Sequence, residues 1–441
     1  MKEKFQYVLD TFNQVYNLDL TQNEISYGLE PTAKIHIKQG RTTALERKQA
    51  YFPDKNQIIW KIWNHREIPF FFDSENTEIY TEVDGTHIIN YDIIASSFFL
   101  LSGWQEYFST EKDSYGRFRC EDSYQYKLGI MSIPVVNYYF DILKTIWEIN
   151  TKKTVPLKNW NGSKFAACLT HDIDTCESGW IQGSFHAIKK HHFITPIILA
   201  SKKLFNQDVW FNFNEILNIE KQFGAKSTFF FLAQNKPNLR IKNADYSIEK
   251  SKFETVFNKI TSHGSEIGLH GSTGTHTNLE MLIRDKNKIK LSINGNRFHF
   301  LLFDIKKTPQ VIDNAGFRYD SSLGFAESFG FRNSFCFPFR PFDIQKDKSF
   351  GYYEIPLVLM DGTLQKYLHL SPSDSIEKII PVFEEVIKFK GVITILWHNS
   401  HFSNYKYPGW KDTYIGILSK CKERFGLLDS CSNILDIYLN G

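Results

Sequence analysis

The chain has 441 residues, which exceeds one ordinary hydrophobic core and predicts roughly two or three domains. Its 52 basic and 49 acidic side chains leave a formal net charge of +3, so no strong overall field favours nucleic acid or anionic lipid as a partner. A hydrophobic fraction of 42% with 23% charged residues is typical of a folded globular protein and excludes large-scale disorder.

The cysteine pattern and the absence of long apolar runs indicate the cellular compartment in which we expect the protein. The six cysteines form no CxxC pair, which argues against a disulfide framework and a cysteine zinc site. No uninterrupted apolar stretch follows the first residues, so a secretory signal is not visible. The most apolar window, Ile93 to Trp104, is about half the roughly 20 residues of a membrane span. We expect a cytoplasmic protein without a membrane span.

The first part of the chain has a mixed pattern. Helices are predicted over 4–16 and 93–107, with a short strand over 34–37 between them. The polar segment Asn150 to Pro156 that follows is typical of a linker. We therefore predict a smaller N-terminal α+β domain over residues 1–158, with an accessory role that the sequence leaves unknown.

From Lys164 onward, short apolar runs alternate with helical patterns, as in βα units around a parallel sheet. The predicted strands are 165–169, 227–232, 266–269, 317–319, 354–359 and 392–397. The predicted helices are 209–222, 249–262, 277–290, 306–314 and 372–389. The last helix has Ser371 as N-cap, Pro372 in its first turn and Gly391 beyond its end. This alternation predicts a barrel or a doubly wound sheet over residues 159–441.

Polar side chains follow three of these strands. They are Thr170-His171-Asp172-Ile173-Asp174, His270-Gly271-Ser272 and His398-Asn399-Ser400-His401. Because the loops after parallel strands converge on one face of a barrel, these groups are predicted to meet there. One carboxylate of a close pair can bind a divalent metal while the other accepts a proton from water, and added imidazoles complete a ligand set suited to zinc.

These residues resemble the polysaccharide deacetylase family, which has a NodB homology domain and is also called carbohydrate esterase family 4. The resemblance covers residues from about 165 onward and rests on Thr170 to Asp174, Ser227 to Leu232, Glu266 to Ser272 and Leu396 to Asn399. It implies an α/β fold, a distorted (β/α)7 barrel, with one divalent metal. The N-terminal part is similar to a poorly characterised domain that precedes this catalytic domain in a bacterial subgroup, as in Ser102 to Tyr107 and Tyr115 to Phe118.

The first motif of the family is usually Thr-Phe-Asp-Asp-Gly, but Ile173 occupies the position of its second aspartate. The chain instead resembles the Asp-x-Asp variant, which implies Asp172 as general base and Asp174 as metal ligand. The second motif normally has two histidines four residues apart. His270 and Ser272 match its first half, whereas position 274 is glycine.

Two histidines are candidates for the third metal ligand. His276 reaches the site if Gly271 and Gly274 allow the loop to fold back. His299 lies in Asn296-Arg297-Phe298-His299-Phe300, where the family usually has its Arg-x-Pro-Tyr element. We favour His299 because it follows another predicted strand and stands beside Arg297.

The remaining predicted site residues have catalytic or supporting roles. His398 occupies the position of the family's Leu-x-His motif, which implies a proton donor for the leaving amine. Arg297 is also predicted to be a catalytic residue. Ser272 and Asp320 are predicted to support the site, and Asp320 is expected to orient a histidine or Arg297.

The sequence therefore predicts a metal-dependent hydrolase that removes acetyl groups from an N-acetylated carbohydrate, such as a cell-surface glycan or its precursor. Two alternatives stay open. A glycosyltransferase also uses Asp-x-Asp, to hold manganese against a nucleotide-sugar diphosphate, and a non-catalytic carbohydrate-binding module could retain a degraded deacetylase scaffold. Metal content and sugar transfer distinguish these alternatives.

Overall fold

The computed structural model describes residues 1–205, 207–236 and 242–440. The strands of its N-terminal part are β1 (Ile25–Gly28), β2 (Ile35–Lys38), β3 (Ile59–Trp63), β4 (Arg66–Phe70), β5 (Tyr80–Val83) and β6 (Thr86–Ile89). The helices are α1 (Lys2–Tyr16), α2 (Thr43–Glu46), α3 (Ile93–Leu101), α4 (Trp104–Phe108), α5 (Tyr124–Lys127) and α6 (Val135–Thr151). Within the described ranges no helix combines the length and apolarity that crossing a membrane requires.

The N-terminal part contains a small sheet in the order β1-β2-β6-β5 and a hairpin of β3 and β4. Helix α3 is buried along its whole length, and the Asp92 side chain caps it by accepting from Ala95 N at 2.7 Å. The predicted helix over 93–107 is two helices, because Gly103 adopts φ 67° between α3 and α4. This left-handed conformation breaks the helical path and is one that glycine adopts without strain.

The strands of the larger part are β7 (Phe165–Ile173), β8 (Thr228–Leu232), β9 (Glu266–Gly271), β10 (Gly295–Phe298), β11 (Tyr319–Asp320), β12 (Phe342–Asp343), β13 (Lys348–Ser349), β14 (Tyr353–Glu354), β15 (Leu359–Met360), β16 (Val392–Leu396) and β17 (Gly426–Asp429). The helices are α7 (Gly179–Lys189), α8 (Ile194–Leu204), α9 (Phe213–Gln222), α10 (Ser251–Ser262), α11 (Leu279–Lys288), α12 (Thr308–Asn314), α13 (Pro372–Lys388), α14 (Trp410–Glu423) and α15 (Cys431–Asn440).

The main sheet has the order β14-β11-β10-β9-β8-β7-β16-β15, and its described strand pairs are parallel. Strand β17 pairs with the first half of β7, whereas β8 pairs with the second half. The strand β7 is buried on both faces along its whole length, as expected for a central parallel strand covered by helices.

The sheet is curled, so that the carboxyl ends of distant strands face each other. Strands β10 and β16 are four positions apart, which would separate them by about 19 Å in a flat sheet. Yet the Nε2 atoms of His299 and His398, which follow these strands, lie 3.5 and 3.6 Å from carboxylate oxygens of Asp174. The curl therefore creates the interior in which the candidate site lies.

The N-terminal part packs onto this sheet through a shared hydrophobic core and buried polar contacts. Arg332 Nη2 donates to Glu106 Oε2 at 2.6 Å, with the two side chains 7% and 4% exposed. Tyr138 OH donates to Glu385 Oε2 at 2.7 Å, and Gln125 Nε2 donates to the Arg332 carbonyl at 2.6 Å. Both parts therefore contribute to one core, and the boundary at residue 158 stays a prediction.

Several predicted elements agree with the structure, and others differ at their ends. Helix α13 begins after Ser371, whose side chain accepts from Asp374 N at 3.2 Å, which confirms the predicted cap. The predicted strand 165–169 continues to Ile173, because the polar residues at its end still pair with β8. The predicted strand 354–359 is wrong as one element, since β14 and β15 pair with different neighbours.

Replacing Arg332 with methionine leaves the Glu106 carboxylate buried without its counter-charge. We expect the free energy of unfolding to fall by about 3–5 kcal/mol, measured by urea denaturation. Arg424→Met is the matched control, because the Arg424–Glu384 pair is partly exposed and should contribute less than about 1 kcal/mol. Equal effects of the two substitutions would contradict a stabilising role for the buried pair.

Candidate metal centre and active site

Side chains alternate in direction along a strand, so His171 and Asp172, at the end of β7, point to opposite sides of the sheet. His171 Nδ1 donates to the Trp397 carbonyl at 2.7 Å, and its Nε2 lies 2.8 Å from Glu220 Oε1. All three of these residues are fully buried. Asp172 is also buried and faces the interior of the curl. His171 therefore contributes to packing, and Asp172 to the candidate site.

Arg297, in β10, reaches across the interior of the sheet to the end of β7. Its Nη1 donates to Asp172 Oδ1 at 3.0 Å and to Thr170 Oγ1 at 2.7 Å. Its Nε and Nη2 donate to the carbonyl and hydroxyl oxygens of Ser321, both at 2.8 Å. The guanidinium is fully buried, 4.7 Å from the centre of the Phe230 ring. Because a buried charge needs partners for its donors, this network holds Asp172 in one position.

Asp174, His270 and His299 bring three potential metal ligands together, with one ligand atom from each within 4.8 Å of the others. Asp174 Oδ1 lies 3.2 Å from His270 Nε2 and 3.5 Å from His299 Nε2. The three residues lie at the carboxyl ends of β7, β9 and β10. One carboxylate oxygen with two imidazole nitrogens is a donor set suited to zinc.

The hydrogen bond on the far side of His270 decides which ring nitrogen faces this group. Its Nδ1 lies 2.8 Å from the Arg297 carbonyl, which can only accept, so Nδ1 carries the proton. Nε2 then presents a lone pair to Asp174 Oδ1, a buried atom that makes no hydrogen bond in the described structure. Two facing acceptors repel each other unless a proton on Nε2 or a bound cation lies between them. The arrangement therefore fits a bound cation.

Neighbouring charges also act on Asp174. Burial raises the pKa of this carboxyl, but His299 and His270 outweigh burial and hold the pKa well below its usual range. In the same way burial lowers the pKa of His270, whereas the charge of Asp172 and the contact with Asp174 raise it, with a net upward shift. Each group therefore favours the charged form of its neighbour.

His299 lies on a loop with unusual backbone angles. The next two residues, Phe300 and Leu301, have φ values of 58° and 53°, in the left-handed region that side chains rarely adopt. Arg117 Nη1 donates to the Phe300 carbonyl at 2.8 Å, and the Tyr115 ring stacks on the Phe300 ring at 5.2 Å. The N-terminal part of the chain therefore holds the loop that carries His299.

Asp361 holds two histidines at the opposite side of the site. His398 donates to this carboxylate through Nδ1 at 2.7 Å and through its backbone N–H at 2.6 Å, and His401 Nδ1 lies 3.1 Å away. His398 Nε2 faces Asp174 Oδ2 at 3.6 Å. Burial lowers the pKa of His398, but the charge of Asp361 outweighs burial and raises it to about 10. Burial lowers the pKa of His401 to about 4.

Asp361 is a site residue that the sequence patterns miss. It follows β15, a strand of two residues that the predicted strand 354–359 concealed. Asp320 lies elsewhere: its carboxylate accepts from Asn296 Nδ2 at 2.7 Å and from Ser322 N at 2.9 Å. Arg297 contacts the neighbouring Ser321 instead. The carboxylate that orients a histidine here is Asp361, whereas Asp320 bonds to its own sheet neighbours.

His276 lies outside both three-residue groups of potential metal ligands found among the described residues, which are Asp174–His270–His299 and Asp361–His398–His401. It belongs to the turn Thr275–Thr277, and its ring centre is 6.2 Å from that of Phe298. Burial lowers the pKa of His276. Ser272 is buried beside the same turn, where its carbonyl accepts from Thr275 N at 3.0 Å. Of the two histidines left open by the sequence, the fold brings His299 to the carboxylates.

The candidate site opens into a cavity of about 180 Å³. Its polar floor consists of Asp172, Asp174, His270, His299 and His398, and its apolar wall includes Leu301, Ala326, Met360, Tyr367 and Leu396. Arg117 and Lys366 also line it. A larger cavity of about 350 Å³ lies beside α1, around Tyr7, Arg340 and Tyr353. The larger cavity contains neither group of potential metal ligands, so the smaller one is the candidate site.

Comparisons with known proteins give distant similarities. A family model described as a family of unknown function, DUF7033, matches residues 2–151. No curated protein sequence matches the chain. A Mycobacterium smegmatis structure assigned as a polysaccharide deacetylase is 18% identical, with a TM-score of 0.43, and the match covers 64% of this chain and 92% of that one. PuuE allantoinase is 12% identical, with a TM-score of 0.43, and the match covers 63% of this chain and 92% of that one. A carbohydrate esterase family 4 pseudoenzyme from Bacillus anthracis is 11% identical, with a TM-score of 0.31, and the match covers 63% of this chain and 66% of that one.

Replacing His299 with alanine removes one nitrogen from the candidate metal group. We expect zinc affinity to fall by more than about 100-fold, because losing even a residue that supports a ligand costs about 10–100-fold. His276→Ala is the matched control and should leave affinity unchanged. Competition with a chromophoric chelator measures both. A loss in His276→Ala that equals or exceeds the loss in His299→Ala would contradict this ligand set.

Proposed function

We propose that this chain is a metal-dependent hydrolase that removes acetyl groups from an N-acetylated carbohydrate, in a cell-surface glycan or its precursor. The observation that carries the proposal is the meeting of three potential metal ligands, a separate carboxylate and a histidine–carboxylate pair around one cavity. Amide hydrolysis uses an electrophile, a base and an acid, which these groups can provide. We further propose that the curled sheet is the distorted (β/α)7 barrel of residues 159–441.

Asp174, His270 and His299 would hold one divalent ion, and their mixed oxygen and nitrogen donors fit zinc. When bound, such an ion supplies a Lewis acid that polarises an amide carbonyl. The lone pair of His270 Nε2 and the unbonded Asp174 Oδ1 support this assignment, since both atoms are buried and face each other at 3.2 Å. The Arg297 carbonyl keeps His270 in the tautomer that a metal ligand needs.

Asp172 is the proposed general base. Its Oδ1 is engaged by Arg297, whereas its Oδ2 lies 3.6 Å from His270 Nε2, beside the candidate ligands. A carboxylate in this position can accept a proton from a water molecule that attacks the substrate carbonyl. Because the buried Arg297 network fixes the side chain, little reorganisation is needed during the reaction.

His398 is the proposed general acid. Asp361 binds its Nδ1, which turns Nε2 toward the carboxylates. A proton on Nε2 can then pass to the departing amine. Asp361 acts through His398, so it is a positioning residue in this proposal.

The size and lining of the cavity support a small acyl group as the part of the substrate that enters. At about 180 Å³ the cavity is smaller than the roughly 300–1,000 Å³ of sites that enclose a drug-sized ligand. Leu301, Met360 and Leu396 offer an apolar surface to a methyl group. Arg117 and Lys366 offer donors to the hydroxyl groups of a sugar.

Replacing Asp172 with asparagine should lower kcat/KM for acetate release from N-acetylglucosamine oligomers by about 10²–10⁴-fold, because the base is lost. Zinc content, measured by atomic absorption, should stay unchanged, since Asp172 is not in the ligand group. Retention of most of the activity would show that another group is the base. Sugar transfer from a nucleotide sugar by the unaltered protein would instead favour a glycosyltransferase, and sugar binding by a metal-free protein without turnover would favour the non-catalytic module.

Replacing Asp361 with asparagine should lower kcat on the order of 100-fold with little change in KM, because His398 loses the carboxylate that orients and charges it. Steady-state kinetics on the same oligomers measure both constants. His401→Gln is the control, since His401 contacts the same carboxylate through Nδ1 but does not belong to the cavity lining. An equal loss of kcat in both variants would contradict a role that acts through His398.

A further inference from the structure

Helices α7 and α8 form a hairpin that turns apolar side chains outward. On α7, Ile181, Phe185 and Ile188 recur at the spacing of one helix face and are 49–60% exposed. On α8, Ile194, Ile197 and Ile198 also share one face and are 42–73% exposed. We call these six side chains the α7–α8 face.

Exposed apolar side chains are concentrated in this hairpin. In the described part of the chain, nine of the 20 exposed large hydrophobic residues lie between Ile181 and Phe205. Besides the α7–α8 face they include Phe193, at the turn between the helices, and Leu204 with Phe205, at the end of α8. Contiguous exposed apolar surface of this kind marks an interaction site more often than scattered single residues do.

The inner sides of the two helices are already packed. Leu199 is fully buried, and a Cβ atom at Gly183 would lie only 2.8 Å from its Cδ1, so the helices approach closely at this point. Asp208 accepts from Gly179 N at 3.1 Å, and Lys406 Nζ donates to Gln182 Oε1 at 2.7 Å. The hairpin is therefore anchored to the protein, and its outer face stays exposed among the residues that the structure describes.

The charge of the hairpin has one sign. Between Ser178 and Gln207 the sequence has four lysines and no aspartate or glutamate. Lys189 and Lys190 are exposed next to the apolar side chains, with Lys189 Nζ 4.5 Å from the centre of the Phe185 ring. The acidic Glu177 before the hairpin already pairs with Lys250 and Lys252, at 3.0 and 2.6 Å. The local charge is therefore positive although the whole chain is close to neutral.

We propose that the α7–α8 face docks the protein onto the surface of an anionic lipid bilayer. The apolar side chains would enter the boundary between headgroups and acyl chains, while Lys189 and Lys190 face lipid phosphates. Each helix has 11 residues, about 16 Å, so neither can cross the roughly 30 Å hydrocarbon core, and the hairpin lies on the surface. The inference is independent of the proposed function.

Charge favours lipid over a second copy of the chain as the occupant of this face. In a two-fold dimer the same patch meets itself, which would bring the lysines of both copies together without acidic partners. An anionic bilayer instead offers opposite charge to the exposed Lys189 and Lys190.

Flotation of the full chain with lipid vesicles tests the proposal. Vesicles of phosphatidylcholine and phosphatidylglycerol in equal parts should bind the protein about tenfold or more tightly than vesicles of phosphatidylcholine alone, and added salt should weaken binding. Phe185→Ser/Ile197→Ser should abolish flotation. Leu29→Ser/Ile62→Ser is the matched control, because Leu29 and Ile62 are 78% and 72% exposed elsewhere on the protein.

A second pair of variants tests the charge. Lys189→Gln/Lys190→Gln should weaken binding to the mixed vesicles by about 30-fold, since each of the two lysines near an anionic surface contributes about 1 kcal/mol. Lys152→Gln/Lys153→Gln, another adjacent exposed pair, should leave binding unchanged. Failure of the unaltered protein to float with the mixed vesicles would overturn the proposal. So would a dimer in light scattering that Phe185→Ser/Ile197→Ser converts to a monomer, because the face would then join two copies.

Discussion

The buried guanidinium of Arg297 is the interaction on which the geometry of the candidate site depends. From β10 it donates to Asp172 and Thr170 at the end of β7 and to Ser321 after β11. A charge that is removed from water is tolerated only when its donors are satisfied, so these strand ends must stay close together. The same residue accepts from His270 through its backbone carbonyl. One arginine thus fixes both the carboxylate proposed as base and the tautomer of a proposed ligand.

The site concentrates histidine side chains around one carboxylate. Asp174 faces His270 and His299 on one side and His398 on the other, all within 3.6 Å. Such an arrangement costs stability, because titratable groups are held together away from water. Rigid strand ends and the Arg297 network maintain it. Such preorganisation is compatible with the metal site proposed above.

The N-terminal part reaches the site as well as supporting the sheet. Arg117 and Tyr115 hold the backbone and ring of Phe300, beside His299, in a conformation that side chains rarely adopt. A contact of this kind links the position of a proposed metal ligand to a region that is remote in the sequence.

The net charge of the whole chain also does not report the charge of the hairpin formed by α7 and α8. The chain is close to neutral, yet all charged residues of this hairpin are lysines.

The sequence by itself predicted much of the alternation of strands and helices after residue 164, the cap of α13, and the polar residues at strand ends, because these features depend on local periodicity and local chemistry. It did not predict the helices α7, α8, α14 and α15 or the strand β17. It also identified Asp172, Asp174, His270 and His398 as neighbours, since parallel strands end at one face. Only the tertiary structure brought His299 rather than His276 to Asp174, brought Asp361 to His398, and carried Arg297 across the sheet interior. Those contacts join residues that are far apart in the chain, and they depend on how strongly the sheet curls, a property that no short stretch of sequence encodes.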